Sequence, residues 1–237
     1  MACYTLILDA DDTLWESNIF YEQTIQTFAR RMAQEGFDPH RARETLSQVE
    51  HERIPIYGYA PQEFVQSLVL TYHRLCQEDG RTPEPEVEAE IEALGRQVVE
   101  HPIILMEGVP ETLACLRPHC RLFLLTKGDP QVQMSKIERS GLARYFEAVH
   151  IVPEKGPDVL RDLLARYNLD PAWTWMVGNS PRSDINPALE AGIGAIHIPY
   201  HTPWAFEETP IADPQRVVTL HRFSDLIHLF PKPEDSL

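Results

Sequence analysis

The chain has 237 residues, of which 43% are hydrophobic and 24% are charged, as is typical of a soluble globular protein rather than a disordered one. Its formal net charge of −15 argues against a nucleic-acid polymer as a partner, because phosphate backbones are held mainly by clustered lysine and arginine. No apolar run approaches the roughly 20 residues needed to cross a bilayer, and the N-terminus has no basic region followed by an apolar signal core, which predicts a cytoplasmic protein with no membrane partner.

Six short apolar runs predict buried β-strands along the chain. In chain order they are residues 4–8, 122–125, 149–152, 173–177, 195–198 and 217–220. Amphipathic stretches at 130–140, 158–167 and 183–191 predict helices between these strands. Strands and helices in alternation predict an α/β fold with a parallel sheet covered on both faces.

The interval from residue 17 to residue 101 contains no convincing strand and is mostly helical. Its four predicted helices span residues 18–34, 39–52, 61–78 and 85–99. Pro39, Pro61 and Pro85 fall near helix starts, where a missing N–H costs little. We therefore predict a four-helix insertion at 17–101 within a core made of residues 1–16 and 102–230, followed by a polar tail at 231–237.

Polar side chains follow four of the predicted strands. In parallel α/β sheets, ligands bind at the carboxyl ends of the strands. The side chains found there, in chain order, are Asp9, Asp11, Thr126, Lys155, Asn179 and Asp184. Because four separate segments bring polar groups to one edge of the sheet, that edge is the predicted functional site.

Asp9 and Asp11 lie two residues apart and can divide the work of phosphoryl transfer. A carboxylate held against a divalent cation stays ionised and can attack phosphorus, while a second carboxylate carries a proton to the leaving oxygen. By themselves the two residues are as consistent with an acidic loop, or with a calcium site that performs no chemistry, as they are with a catalytic pair.

The other segments offer complementary groups. Thr126 can bind phosphate oxygens or cap the next helix, and Lys155 can offset phosphoryl charge or lie in a solvated loop. Asn179 and Asp184 can supply the oxygen ligands that Mg²⁺ prefers, although Asp184 alone could also favour a helix N-terminus.

Taken together in order, these segments resemble the four motifs of the haloacid dehalogenase superfamily. The motifs are Asp9-Ala10-Asp11-Asp12-Thr13, then Leu125-Thr126-Lys127-Gly128, then Lys155, then Gly178-Asn179-Ser180-Pro181-Arg182-Ser183-Asp184. The helical insertion after the first motif resembles the C1-type cap of that superfamily. The resemblance runs from about Thr5 to His197. It implies a Rossmann-like core, a mobile cap, Mg²⁺ as the cofactor and hydrolysis through an aspartyl-phosphate.

The resemblance also implies a role for each matching residue. Asp9 would be the nucleophile and a metal ligand. Asp11 would be the general acid and base and would lend its backbone carbonyl to the metal. The residues that would bind the phosphoryl group are Thr126, Lys127 and Lys155. Asn179 and Asp184 would complete the metal site, directly or through water.

Asn179 departs from the superfamily pattern, which usually has an aspartate at this position. A carboxamide oxygen can still bind Mg²⁺, but the site loses one negative charge. We therefore predict a weaker affinity for Mg²⁺ than in an aspartate-bearing relative.

Among the reactions of the superfamily, phosphate ester hydrolysis of a small phosphorylated metabolite is the simplest expectation. Asp11 argues against dehalogenation, and the absence of lysine from residue 16 to residue 101 argues against a Schiff-base phosphonate cleavage. A phosphosugar mutase and a catalytically weak regulatory or binding member stay open as alternatives.

Five aromatic residues are candidates for lining a substrate pocket, namely Trp15, Phe20, Tyr21, Tyr57 and Tyr59. Each residue of the insertion is equally a candidate for packing inside it. The sequence predicts neither the physiological substrate nor an oligomeric state.

Overall fold

The computed structural model of the chain describes residues 4–99 and 101–231, so the predicted tail lies, apart from Pro231, outside the described residues. The chain divides into two compact units. One consists of Met1–Asn18 with Ile103–Leu237, and the other is Ile19–Pro102, where the sequence predicted an insertion at 17–101. Within the described residues, no helix is both long enough and apolar enough to cross a membrane.

The first unit is built on a six-stranded sheet in which all strand pairs are parallel, with the order β3-β2-β1-β4-β5-β6. The strands are β1 Tyr4–Leu8, β2 Cys120–Lys127, β3 Ala148–Val152, β4 Thr174–Gly178, β5 Gly194–His197 and β6 Val217–Thr219. The predicted α/β architecture with a Rossmann-like parallel sheet and a helical insertion is confirmed. Strand β2 is longer than predicted and includes Thr126.

The helices occupy both units. In chain order they are α1 Asn18–Gln34, α2 Pro39–Tyr57, α3 Pro61–Glu78, α4 Pro85–Arg96, α5 Val109–Leu116, α6 Pro130–Ser140, α7 Pro157–Tyr167, α8 Asn186–Ala191 and α9 Leu226–Leu229. Helices α5 and α9 were not predicted. The predicted helix at 183–191 is a wide turn, Pro181–Ile185, that leads into α8. The predicted helix at 85–99 ends as α4 at Arg96 and continues as a 3₁₀ turn.

The central strands β1, β2 and β4 are largely buried, which explains why they are mostly apolar. Successive side chains of a strand point to opposite faces. Leu6 and Leu8 of β1 accordingly pack in one apolar cluster together with residues of α5 and α9, whereas Ile7 packs in a second cluster with residues of α7 and α8. The two clusters pack against opposite faces of the sheet and so support the edge at which the carboxyl ends of the central strands lie.

The helical unit has an apolar core of its own, to which Phe28, Leu46, Leu68 and Ile91 contribute one residue from each of α1 to α4. Proline occupies the first turn of α2, α3 and α4, and Asp38 caps α2 by accepting hydrogen bonds from the backbone N–H groups of the first turn.

Helix α2 runs to Tyr57 rather than to the predicted residue 52 and passes through Pro55. The added turn is closed by a hydrogen bond of 2.9 Å from the Gly58 N–H to the Ile54 carbonyl. The Arg53 guanidinium also lies 4.6 Å from the centroid of the Tyr57 ring. Because Pro55 has no N–H, the helix lacks the hydrogen bond that residue 55 would otherwise donate to the carbonyl of His51.

Candidate active site

The predicted site residues lie at the carboxyl edge of the sheet because β1 is paired with both β2 and β4. Leu8 is in register with Leu124 on one side and Val177 on the other. The backbone N–H of Asp9 continues this pairing with a 2.9 Å hydrogen bond to the Val177 carbonyl. The first and fourth motifs are therefore fixed to each other by the sheet itself.

Asp9, Lys155 and Asp184 form a buried ionic cluster. The Lys155 ammonium makes a short contact with Asp9 Oδ1 and lies 2.7 Å from Asp184 Oδ1. The Lys155 side chain is 3% exposed and that of Asp184 is not exposed at all, so water does not screen the cluster. On the other side, the Thr13 hydroxyl donates to Asp9 Oδ2 at 2.8 Å and lies 3.2 Å from Asn179 Oδ1, which brings Asn179 beside the nucleophile candidate.

Two carboxylates share one ammonium in this cluster, and the pKa values follow from that imbalance. Burial raises the pKa of Asp9 to about 7, and the charge of Asp184 adds to the rise that Lys155 opposes. Burial by itself favours the neutral amine of Lys155, but the two carboxylates outweigh it and raise the pKa of Lys155 above its ordinary value. A divalent cation beside Asp9 would stabilise the ionised carboxylate.

The fourth motif needs a glycine because of a close approach inside its own loop. A Cβ atom at Gly178 would lie only 2.2 Å from Asp184 Oδ2. The same Oδ2 atom accepts a 3.0 Å hydrogen bond from the Ser180 N–H, so the wide turn at Pro181–Ile185 folds Asp184 back under the end of β4. This fold-back is what places Asp184 against Lys155.

Asp11 is held by a different set of donors. The Lys136 Nζ atom lies 2.9 Å from both of its carboxylate oxygens, the Trp15 indole donates to Oδ1 at 2.7 Å, and the Gln133 amide donates to Oδ2 at 3.0 Å. Burial opposes ionisation, but the charge of Lys136 and these hydrogen bonds outweigh it and lower the pKa of Asp11. Trp15 is completely buried. It therefore supports Asp11 and has no surface with which to line a substrate pocket.

Gln133 and Lys136 were not identified from the sequence. Gln133 Nε2 also lies 2.7 Å from Thr126 Oγ1 and 2.8 Å from the Lys127 carbonyl, so this one amide joins the second motif to Asp11. Both residues lie on the buried face of α6 with Ile137. Their helical spacing beside the apolar Ile137 was the signal available in the sequence.

Lys127 belongs to a second ionic network. Its ammonium makes a short contact with Glu207 and lies 2.9 Å from Ser183 Oγ. Glu207 also accepts hydrogen bonds from the hydroxyls of Ser180 and Ser183. Although burial opposes ionisation, the charge of Lys127 outweighs it and lowers the pKa of Glu207. The network connects the turn of the fourth motif to the end of β2. Glu207 was not identified from the sequence.

Asp12 does not join these clusters. Its backbone has a φ of 62°, and its carboxylate accepts hydrogen bonds of 2.8 Å and 2.9 Å from the N–H groups of Ser17 and Asn18. These bonds satisfy donors at the start of α1, as an N-terminal cap does.

The aromatic pocket candidates in the helical unit have different environments. The Phe20 ring stacks on His101 at 4.0 Å between centroids, and Tyr21 packs edge-to-face on Phe64 at 5.0 Å. Tyr57 is 56% exposed, and Tyr59 is half-buried in the connection between α2 and α3. Phe20 and Tyr21 thus contribute to the packing of their own unit, while Tyr57 keeps a free ring surface.

The oxygen atoms of the site suit a hard cation. The described residues contain no group of three or more His, Cys, Asp or Glu side chains that could hold a metal ion. A cation at this edge would therefore need the Asn179 carboxamide or a backbone carbonyl in addition to the carboxylates of Asp9 and Asp184. Oxygen donors of these kinds are the ligands that Mg²⁺ prefers, and the residues fit that ion.

Comparison with known proteins identifies what this arrangement is similar to. The family model for haloacid dehalogenase-like hydrolases matches residues 5–192. A phosphoserine phosphatase of Thermus thermophilus is 27% identical over 226 residues, covering 81% of this chain and 87% of the relative. An N-acylneuraminate-9-phosphatase of Mus musculus is 35% identical over 98 residues, covering 39% of this chain and 40% of that protein.

Solved structures give a similar result over nearly the whole chain. A haloacid dehalogenase-like family hydrolase from Xanthomonas campestris superimposes with a TM-score of 0.81 and 28% sequence identity. The match covers 97% of this chain and 95% of that one.

Proposed function

Because this chain belongs to the haloacid dehalogenase-like hydrolases and is a phosphoric monoester hydrolase, we propose that it is a Mg²⁺-dependent phosphatase of a small phosphorylated metabolite. The observation that carries the proposal is the arrangement of its two aspartates. Asp9 lies against Lys155 and Asp184, whereas Asp11 is held separately by Lys136, so the two carboxylates have different environments and can take different roles.

In the proposed reaction, a carboxylate oxygen of Asp9 attacks phosphorus and the bond from phosphorus to the leaving oxygen breaks. Asp11, whose donors favour the ionised form at rest, takes up a proton from solvent before this step and gives it to that leaving oxygen. In the second step Asp11 takes a proton from a water molecule, whose oxygen attacks the aspartyl-phosphate. The bond between phosphorus and Asp9 then breaks, which releases inorganic phosphate and restores both aspartates.

The proposed metal ligands are the Asp9 carboxylate, the Asp11 backbone carbonyl and the Asn179 carboxamide. Mg²⁺ bound there would neutralise negative charge on Asp9 and on the phosphoryl oxygens. Both oxygens of Asp184 already accept hydrogen bonds, from Lys155 at 2.7 Å and from the Ser180 N–H at 3.0 Å. This favours a contact from Asp184 to the metal through water.

Thr126 and Lys155 are the proposed ligands of the transferring phosphoryl group. Thr126 is the penultimate residue of β2 and lies at the active edge, where its hydroxyl oxygen accepts a hydrogen bond from Gln133. The role of Lys127 is revised. Since its ammonium is paired with Glu207, we assign it to the support of the fourth motif instead of phosphate binding.

The substrate class rests on charge and on the relatives. The relatives are named as phosphatases of phosphoserine and of an N-acylneuraminate, both small molecules, and the net charge of −15 disfavours a polymeric polyanion. We propose that the helical unit acts as the C1-type cap implied by the resemblance. Tyr57 and Tyr59 stay candidates for contacting the substrate. The cytoplasmic location stays a prediction.

The metal requirement gives the first test. The purified chain is expected to release phosphate from p-nitrophenyl phosphate with Mg²⁺, to lose this activity in excess EDTA, and to regain it when Mg²⁺ is restored. A screen of phosphorylated metabolites that measures inorganic phosphate would then identify the substrate. Isomerised sugar phosphate without phosphate release would favour a mutase, and no Mg²⁺-dependent release at all would contradict the proposal.

Replacing Asn179 by aspartate tests the metal site more directly. We expect Asn179→Asp to lower the Mg²⁺ concentration for half-maximal activity by about tenfold, because an added unit charge next to a cation is worth at least about 1.4 kcal/mol in a partly solvated site. Asn168→Asp is the matched control, since it adds the same charge at an exposed left-handed helix end that tolerates aspartate. An unchanged or raised Mg²⁺ requirement in Asn179→Asp would exclude Asn179 as a ligand.

A further inference from the structure

Lys136 is a buried lysine that the mechanism above does not use. It is one of only four lysines in the chain and is 7% exposed. In proteins, burying an ammonium group costs roughly several kcal/mol unless a nearby anion compensates its charge. Here the anion is Asp11, which Lys136 contacts with equal distances of 2.9 Å to its two carboxylate oxygens. The pair is separate from the cluster around Lys155.

The donors around Asp11 fill its acceptor capacity. An ionised carboxylate offers about four lone-pair directions. Oδ1 accepts hydrogen bonds from Lys136 and Trp15, and Oδ2 accepts hydrogen bonds from Lys136 and Gln133. The direction of the carboxylate is therefore fixed before any substrate arrives. For the same reason, a proton can be exchanged with a leaving group or a water molecule only if one of these donors withdraws.

Lys136 is the donor best able to withdraw. Trp15 is completely buried in the core, and the Gln133 amide is also tied to Thr126 and to the Lys127 carbonyl. The Lys136 ammonium, in contrast, ends a flexible four-carbon chain and already lies 3.3 Å from the hydroxyl of Ser17. The Ser17 hydroxyl is thus a second acceptor within reach of the ammonium, next to Asp11.

We propose that Lys136 is a positioning residue for the general acid–base step, which sets the direction of the Asp11 carboxylate and then yields one of its oxygens by moving toward Ser17. This inference rests on the proposed phosphatase reaction and deepens it. Gln133 and Trp15 keep the carboxylate aimed while Lys136 moves. The oxygen that Lys136 releases takes up a proton from solvent, and this proton then passes from Asp11 to the leaving oxygen.

The test uses phosphate esters whose leaving groups differ in basicity. A good leaving group such as p-nitrophenolate departs without protonation, whereas phenol and glycerol need a proton. General acid catalysis is worth about 10²- to 10⁴-fold. For Lys136→Met we therefore expect kcat/KM for phenyl phosphate and β-glycerophosphate to fall about 100-fold or more, and that for p-nitrophenyl phosphate to fall less than about tenfold.

Three further variants sharpen the result. Lys136→Arg keeps a cation and should restore most of the activity on β-glycerophosphate. Ser17→Ala removes the second acceptor and should show a smaller loss that is again confined to the poor leaving groups. Arg139→Met removes an exposed cation from the same helix and should leave the whole series unchanged. The burst of p-nitrophenolate in Lys136→Met gives a second readout, since slow dephosphorylation would make it visible.

An equal loss over all esters in Lys136→Met, or no loss, would overturn the positioning role, because lost stability does not depend on the leaving group. An unaltered Ser17→Ala would overturn the movement toward Ser17. If Lys136→Met fails to fold by circular dichroism, Lys136→Gln and Ser17→Ala carry the same comparison. The proposed function is tested separately, by comparing the wild type with Asp9→Asn. If the wild type is active and Asp9→Asn is not, the proposed phosphatase reaction stands whatever the result for Lys136.

Discussion

Replacing Asp9 by asparagine is expected to lower the rate of phosphate release by at least about 10⁴-fold while leaving the chain folded. A carboxamide is a poor nucleophile toward phosphorus, and the residual rate would come only from binding and charge stabilisation. The geometry should persist, because an asparagine oxygen can still accept from Lys155 and the Thr13 hydroxyl can rotate. The measurement is the Mg²⁺-dependent rate with p-nitrophenyl phosphate, beside thermal unfolding in EDTA.

The melting temperature of Asp9→Asn distinguishes a loss of catalysis from a loss of folding. Asp9 and Asp184 share the single ammonium of Lys155, and burial raises the pKa of Asp9 to about 7. Removing one buried charge from an excess of negative charge should leave the melting temperature unchanged or raise it. A large drop in melting temperature would attribute the lost activity to unfolding.

Asp12→Asn is the matched control for Asp9→Asn. It makes the same chemical change three residues along the chain, at a residue that caps the start of α1. Asparagine tolerates the φ of 62° found there and can accept the same hydrogen bonds. We expect activity within a few-fold of the wild type. Comparable rates for Asp9→Asn and the wild type would rule out Asp9 as the nucleophile.

The sheet and the main helices were predictable because their signals are local. Strand β1 is a mostly apolar run that is followed by an acidic residue, and α3 has a proline at its start and apolar residues at helical spacing. Helices α5 and α9 have eight and four residues. Segments this short contain too few turns for a helical period to stand out, and their packing on the sheet determines their conformation.

The residues around Asp11 could not be predicted from the sequence, for a different reason. Lys136 meets Asp11 across 125 positions of the chain, and the contact depends on how α6 is rotated on the sheet. Trp15 lies only four residues from Asp11, but whether its ring faces a ligand or the core depends on the connection that brings Leu105 against it. Glu207 lies in a segment with no regular period, so only the folded chain reveals its pairing with Lys127.

Lys155→Met is expected to lower the free energy of unfolding by about 3–5 kcal/mol and to abolish phosphate release. The substitution leaves Asp9 and Asp184 buried next to each other with no cation between them. Removing one partner of a buried ion pair costs more than the pair itself contributes, because the remaining charge stays desolvated. Urea unfolding in EDTA measures this loss, with Arg139→Met as a control that removes an exposed cation.

A second substitution can show that charge, rather than the lost volume of the side chain, is responsible. Asp184→Asn placed on Lys155→Met removes one of the two unpaired carboxylates, so the double variant should recover at least about 1.5 kcal/mol relative to Lys155→Met, a coupling within the range for residues in contact. Mg²⁺ should also raise the stability of Lys155→Met, since a cation beside Asp9 replaces the missing charge. A double variant no more stable than Lys155→Met would mean that the buried lysine stabilises the fold through packing, and the shared-ammonium account of Asp9 would have to be abandoned.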